Sequence, residues 1–402
     1  MSRIGVGLLL LLLAQAGALA AAETGSGPEL GGFLKSFHLY SDRLPVGSQE
    51  GLISSEWLRL ELNASLPGSS LFELAVEQQL LWSDPPGLVS PPKDSVNRLV
   101  DLEHSWNRGG RFSAQLQVDR FNLQGKFRKV QWTLGRQAIG FGRISLFSPL
   151  DVIAPFPPDA LDVDVRPGVD ALKLVRYFGL AGQIGGVAVF GERPERDSYL
   201  LLFSENLAHI DLLLLSGSLR GRPMLGLGLA GEIGPLGLKV EASGYRGREV
   251  GRPEGDLRRD FAIAALEGWY RFDSGLILIM EYLYNGVGGD APEDYGRAAS
   301  SAPLTEGMSF LHGRQYLLAA PSYEIHPLVT GSGLLIWNLE DRSGLVRPQL
   351  AVSLADNLQL DLFWNLTWGR KPANQPLAGL AVPRSEFGAV GDSGGLLVRW
   401  YF

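Results

Sequence analysis

Leu358–Trp368 reads LQLDLFWNLTW, and its alternation sets the fold. Leu358, Leu360, Leu362, Trp364, Leu366 and Trp368 fall on one face of an extended chain. Gln359, Asp361, Asn365 and Thr367 fall on the other, where Phe363 is the one apolar exception. Side chains of a strand alternate between its two faces, so this is a period of two. The same period runs through Phe72–Trp82, apart from Gln78 and Leu81, and through Leu236–Tyr245 and Trp57–Asn63. Globular strands average about 5–6 residues, whereas tilted membrane-spanning strands need about 9–11. Segments of this length, with Trp82, Tyr282, Tyr284, Trp368 and Trp400 near the ends of their apolar faces, fit a barrel with an interfacial aromatic girdle. A closed barrel satisfies every backbone hydrogen bond inside a bilayer without any long apolar helix.

Eighteen such segments run from 33–41 to 390–402; sixteen remains open if the Leu-rich stretch near 197–219 is one pair counted twice. With an even count and a periplasmic start, the long connections 83–111, 138–168, 287–311 and 370–389 all fall outside. The tight ones, Gly179–Gly182, Gly234-Pro235, Asp273-Ser274 and Ala355–Asn357, fall inside. Segment 98–106 reads as a ribbon within the second outer loop. The alternation loses phase near Asp119-Arg120, which predicts a bulge there.

The N-terminus fixes the compartment. Arg3, the apolar run Ile4–Leu13 and the small residues Ala18-Leu19-Ala20 form a secretory signal pattern, cut between Ala20 and Glu23. Removing 22 of the 402 residues leaves 380 as a single barrel domain, residues 23–402. The chain has no Cys, which excludes a lipidated leader, disulfides and thiolate metal sites. The formal charge of −7 becomes −8 once Arg3 is lost, and an acidic surface argues against nucleic acid as a partner.

Leu396, Val398, Trp400 and Phe402 stand at alternate positions to the last residue. This ending resembles the terminal strand of outer-membrane proteins, in which the final aromatic is read by the barrel-assembly machinery. The resemblance implies that Trp400 and Phe402 form an assembly signal. Phe121–Arg128, Val130–Leu134 and Gly135-Arg136-Gln137, followed by the connection Ala138–Gly168, resemble the general bacterial porins and porin-like barrels of polysaccharide-export type. There a strand ending in Gly-Arg leads into a long loop folded into the lumen. Strict alternation after Val130, Trp132 and Leu134 aims Arg136 at lipid, so either it sits above the apolar band or the strand twists.

The stretch Phe141–Asp170, FGRISLFSPLDVIAPFPPDALDVDVRPGVD, combines packing residues with charge. Its prolines cannot continue a ladder, and long structureless loops are usually functional or disordered. Folded inward, it would narrow the pore and set its charge preference through Arg143, Asp151, Asp159, Asp162, Asp164, Arg166 and Asp170, with Arg136 at the rim. Five acids against two bases in the stretch predict mild cation preference. Asp159, Asp162 and Asp164 also offer oxygen ligands to Ca²⁺, but the Gly and bidentate Glu of a loop site are missing.

No cofactor motif survives inspection. Gly226–Gly231 matches G-x-G-x-x-G, yet Pro235 and another alternating strand follow it instead of a helix. Small residues on a tightly curved strand account for it. None of His38, His104, His209, His312 and His326 stands in a catalytic string, and His38 and His312, near strand ends, read as wetted side chains. The reading is a channel for passive diffusion of small hydrophilic solutes or ions, with outer-membrane lipids as surroundings and a homo-oligomer or periplasmic partner open. The alternative is a barrel sheath of an electron-conduit or export complex, which without C-x-x-C-H would hold no haem of its own. An outer-membrane barrel enzyme ranks third.

Overall fold

The computed structural model describes residues 27–43, 50–86, 96–252, 255–374 and 381–402. The expected signal peptide, 1–22, lies outside them. Long alternating segments zip to their sequence neighbours, because each exposes a full row of backbone donors and acceptors that only another strand can satisfy. The first strands are β1 (Glu29–Ser41), β2 (Gly51–Leu66), β3 (Ser70–Asp84), the short β4 (Glu103–Trp106), β5 (Phe112–Phe127), β6 (Val130–Gln137) and β7 (Val169–Phe178). The middle of the chain forms β8 (Gly182–Val189), β9 (Ser198–Leu207), β10 (Ile210–Leu219), β11 (Arg222–Ile233), β12 (Leu236–Arg246), β13 (Asp260–Arg271) and β14 (Ile277–Asn285). The remainder forms β15 (Gln315–His326), β16 (Val329–Asn338), β17 (Gly344–Ala355), β18 (Leu358–Trp368), the two-residue β19 (Ala373–Asn374) and β20 (Ala381–Val382), and β21 (Ser393–Tyr401).

Every long strand pairs antiparallel with its neighbours, and β21 pairs with both β18 and β1, so the sheet closes on itself. Closure extends to the last residue: Gly32 and Phe402 exchange backbone bonds of 3.0 and 3.1 Å. Setting aside β4, β19 and β20, eighteen strands form the wall. The 197–219 stretch is a true hairpin, turned by Ala208 and His209 at φ 52° and 68°, a mirror-image turn that matches strand twist. The short turns share one end of the barrel with Phe402, and the long connections share the other, called here the turn end and the loop end. Arg220-Gly221 is a tight connection at the loop end that the reading by length did not single out.

Outward side chains are apolar and exposed: on β18, Leu362 and Trp364 alternate with the inward, buried Asp361 and Phe363. Phe363 breaks the polar pattern because it stacks on Phe37, ring centroids 6.0 Å apart, inside the barrel. The bulge near Asp119-Arg120 is present. Ala75 pairs with Arg120 and Val76 with Val118, leaving Asp119 as the extra residue. The 98–106 ribbon differs from expectation. Only Glu103–Trp106 is a strand, and it joins the barrel sheet on the edge of β5 that the short β6 leaves open. The backbone N–H groups of Leu99 and Val100 donate to Asp170 on β7, so this segment fills a notch in the wall.

This alternation gives a direct test. Leu362→Arg places a charge on the lipid face and should cost about 2–4 kcal/mol of barrel stability. Gln359→Arg, on the lumen face of the same strand, should leave the folded fraction near wild type when both are read by heat-modifiable migration.

Candidate functional site: a strap across the lumen

The site begins where β6 ends. Gly135 has φ +114°, a conformation open to glycine and costly for other residues. It turns Arg136 away from lipid. The Arg136 guanidinium donates to Asp170 at 2.7 and 3.0 Å and to the carbonyls of Val118 and Val100. Arg136 is 2% exposed, so it latches β5, β6, β7 and the notch segment and does not line the pore. Asp170, expected in the constriction, is the acceptor of that latch.

From there Ala138–Gly168 enters the barrel. Its first arm buries Ile139, Ile144, Phe147, Leu150, Val152 and Ile153 against Val187, Leu200, Leu202, Leu213 and Leu215 on the inner wall. Burying one such side chain contributes roughly 1.5–3 kcal/mol. Leu150 seats over the inward backbone of Gly226 and Gly228, where an added Cβ would meet its methyl groups at 2.5 and 2.9 Å. The G-x-G of β11 is therefore a socket for Leu150, which replaces the strand-curvature explanation.

A loop without secondary structure brings unpaired N–H groups with it. Three carboxylates on adjacent strands receive them. Glu241 of β12 accepts from the N–H groups of Arg143 (2.6 Å) and Ile144 (3.3 Å) and from the Ser148 hydroxyl. Glu267 of β13 accepts from Ser145 N–H at 2.5 Å and its hydroxyl at 3.1 Å, and pairs with Lys239 at 2.6 Å. Glu281 of β14 accepts from Phe147 N–H at 3.2 Å. A hydrogen bond contributes about 0.5–1.5 kcal/mol, and about 1.5–3 kcal/mol when its acceptor is charged.

The second arm crosses to the opposite wall. Arg347 of β17 donates to the Asp159 and Ala160 carbonyls at 2.7 and 3.4 Å, and Arg399 of β21 to the Leu161 carbonyl at 3.2 Å. The Lys35 ammonium of β1 bridges Asp162 at 2.7 Å and Asp164 at 2.9 Å. The Tyr401 hydroxyl donates to Asp164 at 2.6 Å, and Arg399 lies 3.6 Å from it. The Tyr401 hydrogen bond, with Lys35 and Arg399, holds the Asp164 carboxyl below its ordinary range despite partial burial. The loop then returns to its root: Arg166 pairs with Asp151, and Gly168 N–H donates to the bulged Asp119 at 2.8 Å. A Cβ on Gly168 would collide with the Asp119 carbonyl, so this return needs glycine.

The strap divides the lumen into unlike halves. The apolar inner wall of β7–β11 is filled by the first arm. The inner wall of β2, β3 and β5 stays polar, with Glu61, Glu73, Glu77, Gln79, Gln117 and Gln124 half-buried around the buried Arg59. Asp159 and Asp164 reach water, Asp162 and Arg166 are half-buried, and Asp151 is buried. Arg143 donates to Ser204 at 2.8 Å and lies 3.9 Å from Asp211. The carboxylate excess expected from the loop alone is offset in space. Four of its five acids pair with a cation: Asp151 with Arg166, Asp162 and Asp164 with Lys35, and Asp170 with Arg136. Lys35, Arg347 and Arg399 escaped the sequence reading because each sits more than a hundred residues from the loop it meets. So did Arg220, fully buried at the loop end, which donates to carbonyls of Val152, Ile153 and Glu306 and to the Asn97 side chain.

No protein-family model and no curated protein matches this chain. Solved structures do match. Acinetobacter baumannii OccAB3 superposes with TM-score 0.58 at 11% identity, covering 93% of this chain and 99% of that one. A. baumannii OccAB2 gives TM-score 0.56 at 10% identity, covering 94% and 99%. Pseudomonas aeruginosa OccD3 (OpdP) gives 0.52 at 11%, covering 95% and 93%. The chain has the fold of an outer-membrane porin.

Asp151 supplies a test of the strap. Burial pushes its carboxyl up to about 6, against the pull of Arg166 and with the help of nearby Glu241. The folded state therefore holds a proton that the unfolded state releases near 4, so this group's contribution to stability falls as pH rises from about 4 to about 6. Asp151→Asn lacks that loss. The stability difference between variant and wild type should move in the variant's favour from pH 4 to pH 7, read by thermal unfolding in detergent.

Proposed function

We propose that this porin-fold barrel lets small hydrophilic solutes and ions diffuse across the outer membrane past a constriction built by Ala138–Gly168. The observation that carries the reading is the strap's double anchorage, on β12–β14 at one side and on β1, β17 and β21 at the other. A segment tied to both walls sets the pore width itself, and solutes pass beside it along the polar wall of β2, β3 and β5. Arg143, Asp159, Asp162, Asp164 and Arg166 set the local charge, and Asp151 braces Arg166. The strap takes up space that a sheathed partner would need, which favours a channel over a sheath. Long connections face the outside, and Trp400 and Phe402 on the closing strand serve assembly.

Charges act on a permeating ion mainly where the path is narrow, since free salt screens them within about 8 Å. With loop acids facing wall bases, the wild-type channel is weakly selective. Deleting Pro155–Asp162 should raise single-channel conductance in a planar bilayer. Lys35→Ala should shift the reversal potential in a salt gradient toward cations, and Asp162→Asn/Asp164→Asn toward anions. Unchanged conductance after the deletion places the strap away from the conducting path, and unchanged selectivity in both variants removes these residues from the constriction.

A further inference from the structure

On the turn side of the strap, the inner wall of β9–β13 carries two adjacent cross-strand rows. Asn206, Asp211, Ala230, Lys239 and Glu267 stand opposite one another in register and form the upper row. Glu232, Gly237 and Trp269 form the next row toward the turn end, two residues or about 7 Å farther along the strands. A cavity of about 590 Å³ lies over both rows, lined by Asp211, Glu232, Lys239 and Trp269, with Asn206 and His209 at its edge. Small-molecule sites span about 300–1,000 Å³. The Trp269 indole sits face-on over Gly237, where an added Cβ would run into its Nε1, Cε2 and Cδ1 atoms. One face of the ring therefore rests on backbone, and the other is left to the cavity. Asn206 spends one amide hydrogen on Asp211, at 2.8 Å.

An indole face beside a row of hydrogen-bonding groups suits a ligand with one apolar and one polar aspect. A pyranose ring has this form, since its C–H bonds make a flat apolar face and its hydroxyls project around the edge. We propose that this cavity binds a neutral saccharide, stacked on Trp269 with its hydroxyls on Asp211, Asn206 and Lys239. The proposal rests on the channel reading above and names the class of solute. Hydroxyls both donate and accept, and the upper row serves both: the Asp211 carboxylate accepts, the Lys239 ammonium donates, and the Asn206 amide does either. Charged solutes fit less well. Asp211 and Glu232 repel an anion, and Lys239 repels a cation. The strap closes the site from the loop side, because Lys239 donates to the Ser145 hydroxyl at 3.1 Å and Arg143 lies 3.9 Å from Asp211. The site therefore opens toward the turn end, across the lumen from the polar wall of β2, β3 and β5, and a bound saccharide rests beside the narrowest part of the path.

Saturation-transfer NMR, observed on the ligand, reads the site on the folded barrel in a detergent without a sugar headgroup. Cellobiose should receive saturation, and sorbitol, which has the hydroxyls but no ring, should receive little. Trp269→Leu should weaken cellobiose binding about tenfold, and Trp269→Tyr, which keeps a ring face, should weaken it less. Gly237→Ala, which lifts the indole off its seat without removing it, should weaken binding as well. Asn206→Leu, at the exposed edge of the site, should weaken it in a barrel whose aromatic platform is intact. Heat-modifiable migration shows that each variant has folded. Binding is read here without any current, so transfer that Trp269→Leu removes supports the site whether or not the barrel conducts. No transfer to cellobiose in wild type, equal transfer to sorbitol, or transfer that survives both Trp269→Leu and Asn206→Leu overturns the proposal. Choline that displaces cellobiose also overturns it, in favour of an organic-cation site.

Discussion

The structure turns on one constraint: a loop placed inside a barrel must find acceptors for its backbone N–H groups. Strand residues satisfy one another, but the strap has no ladder. Glu241, Glu267 and Glu281 answer this from three consecutive wall strands, each reaching backbone of residues 143–150. Glu267 and Glu281 stand directly opposite each other in the β13–β14 register. Carboxyl groups so placed repel when both are ionised, and the loop's donors at each, with Lys239 at Glu267, offset that. Loop and wall are therefore each incomplete without the other.

From that constraint the division of the lumen follows. Apolar contacts of the first arm, centred on Leu150 in its glycine socket, fix the strap to one wall. Ionic contacts of the second arm fix it to the other, where Lys35, Arg347 and Arg399 meet carboxylates and carbonyls. Hydrophobic packing positions the loop, and charge pairing determines what a solute meets beside it. The notch segment and Arg136 then brace the root, so the wall does not open where the loop departs.

The wall was legible because a period of two leaves a local mark, as in Leu358–Trp368, and because a bulge shows as lost phase at Asp119-Arg120. The strap's inward fold was legible from its Phe and Pro content. Its charge balance was not, since the partners Lys35 and Arg399 are distant in sequence and look like ordinary lumen-facing residues. The Glu267/Glu281 opposition was not legible, since counting from an Asp273-Ser274 turn pairs Glu267 with Met280, whereas the hairpin is centred on Ser274.

Whether the strap rests inside the barrel is settled most directly by a disulfide in this otherwise Cys-free chain. Leu150→Cys/Gly226→Cys joins the loop to its socket, where a Cβ at 226 already lies 2.5 Å from the Leu150 side chain. Mild oxidation of the folded protein should form the bond nearly completely within one chain, seen as faster migration of the unfolded, unreduced band, with single-channel conductance the same before and after reduction. A folded barrel that leaves both thiols free to alkylation, or whose conductance falls when the bond forms, would show that residue 150 rests elsewhere.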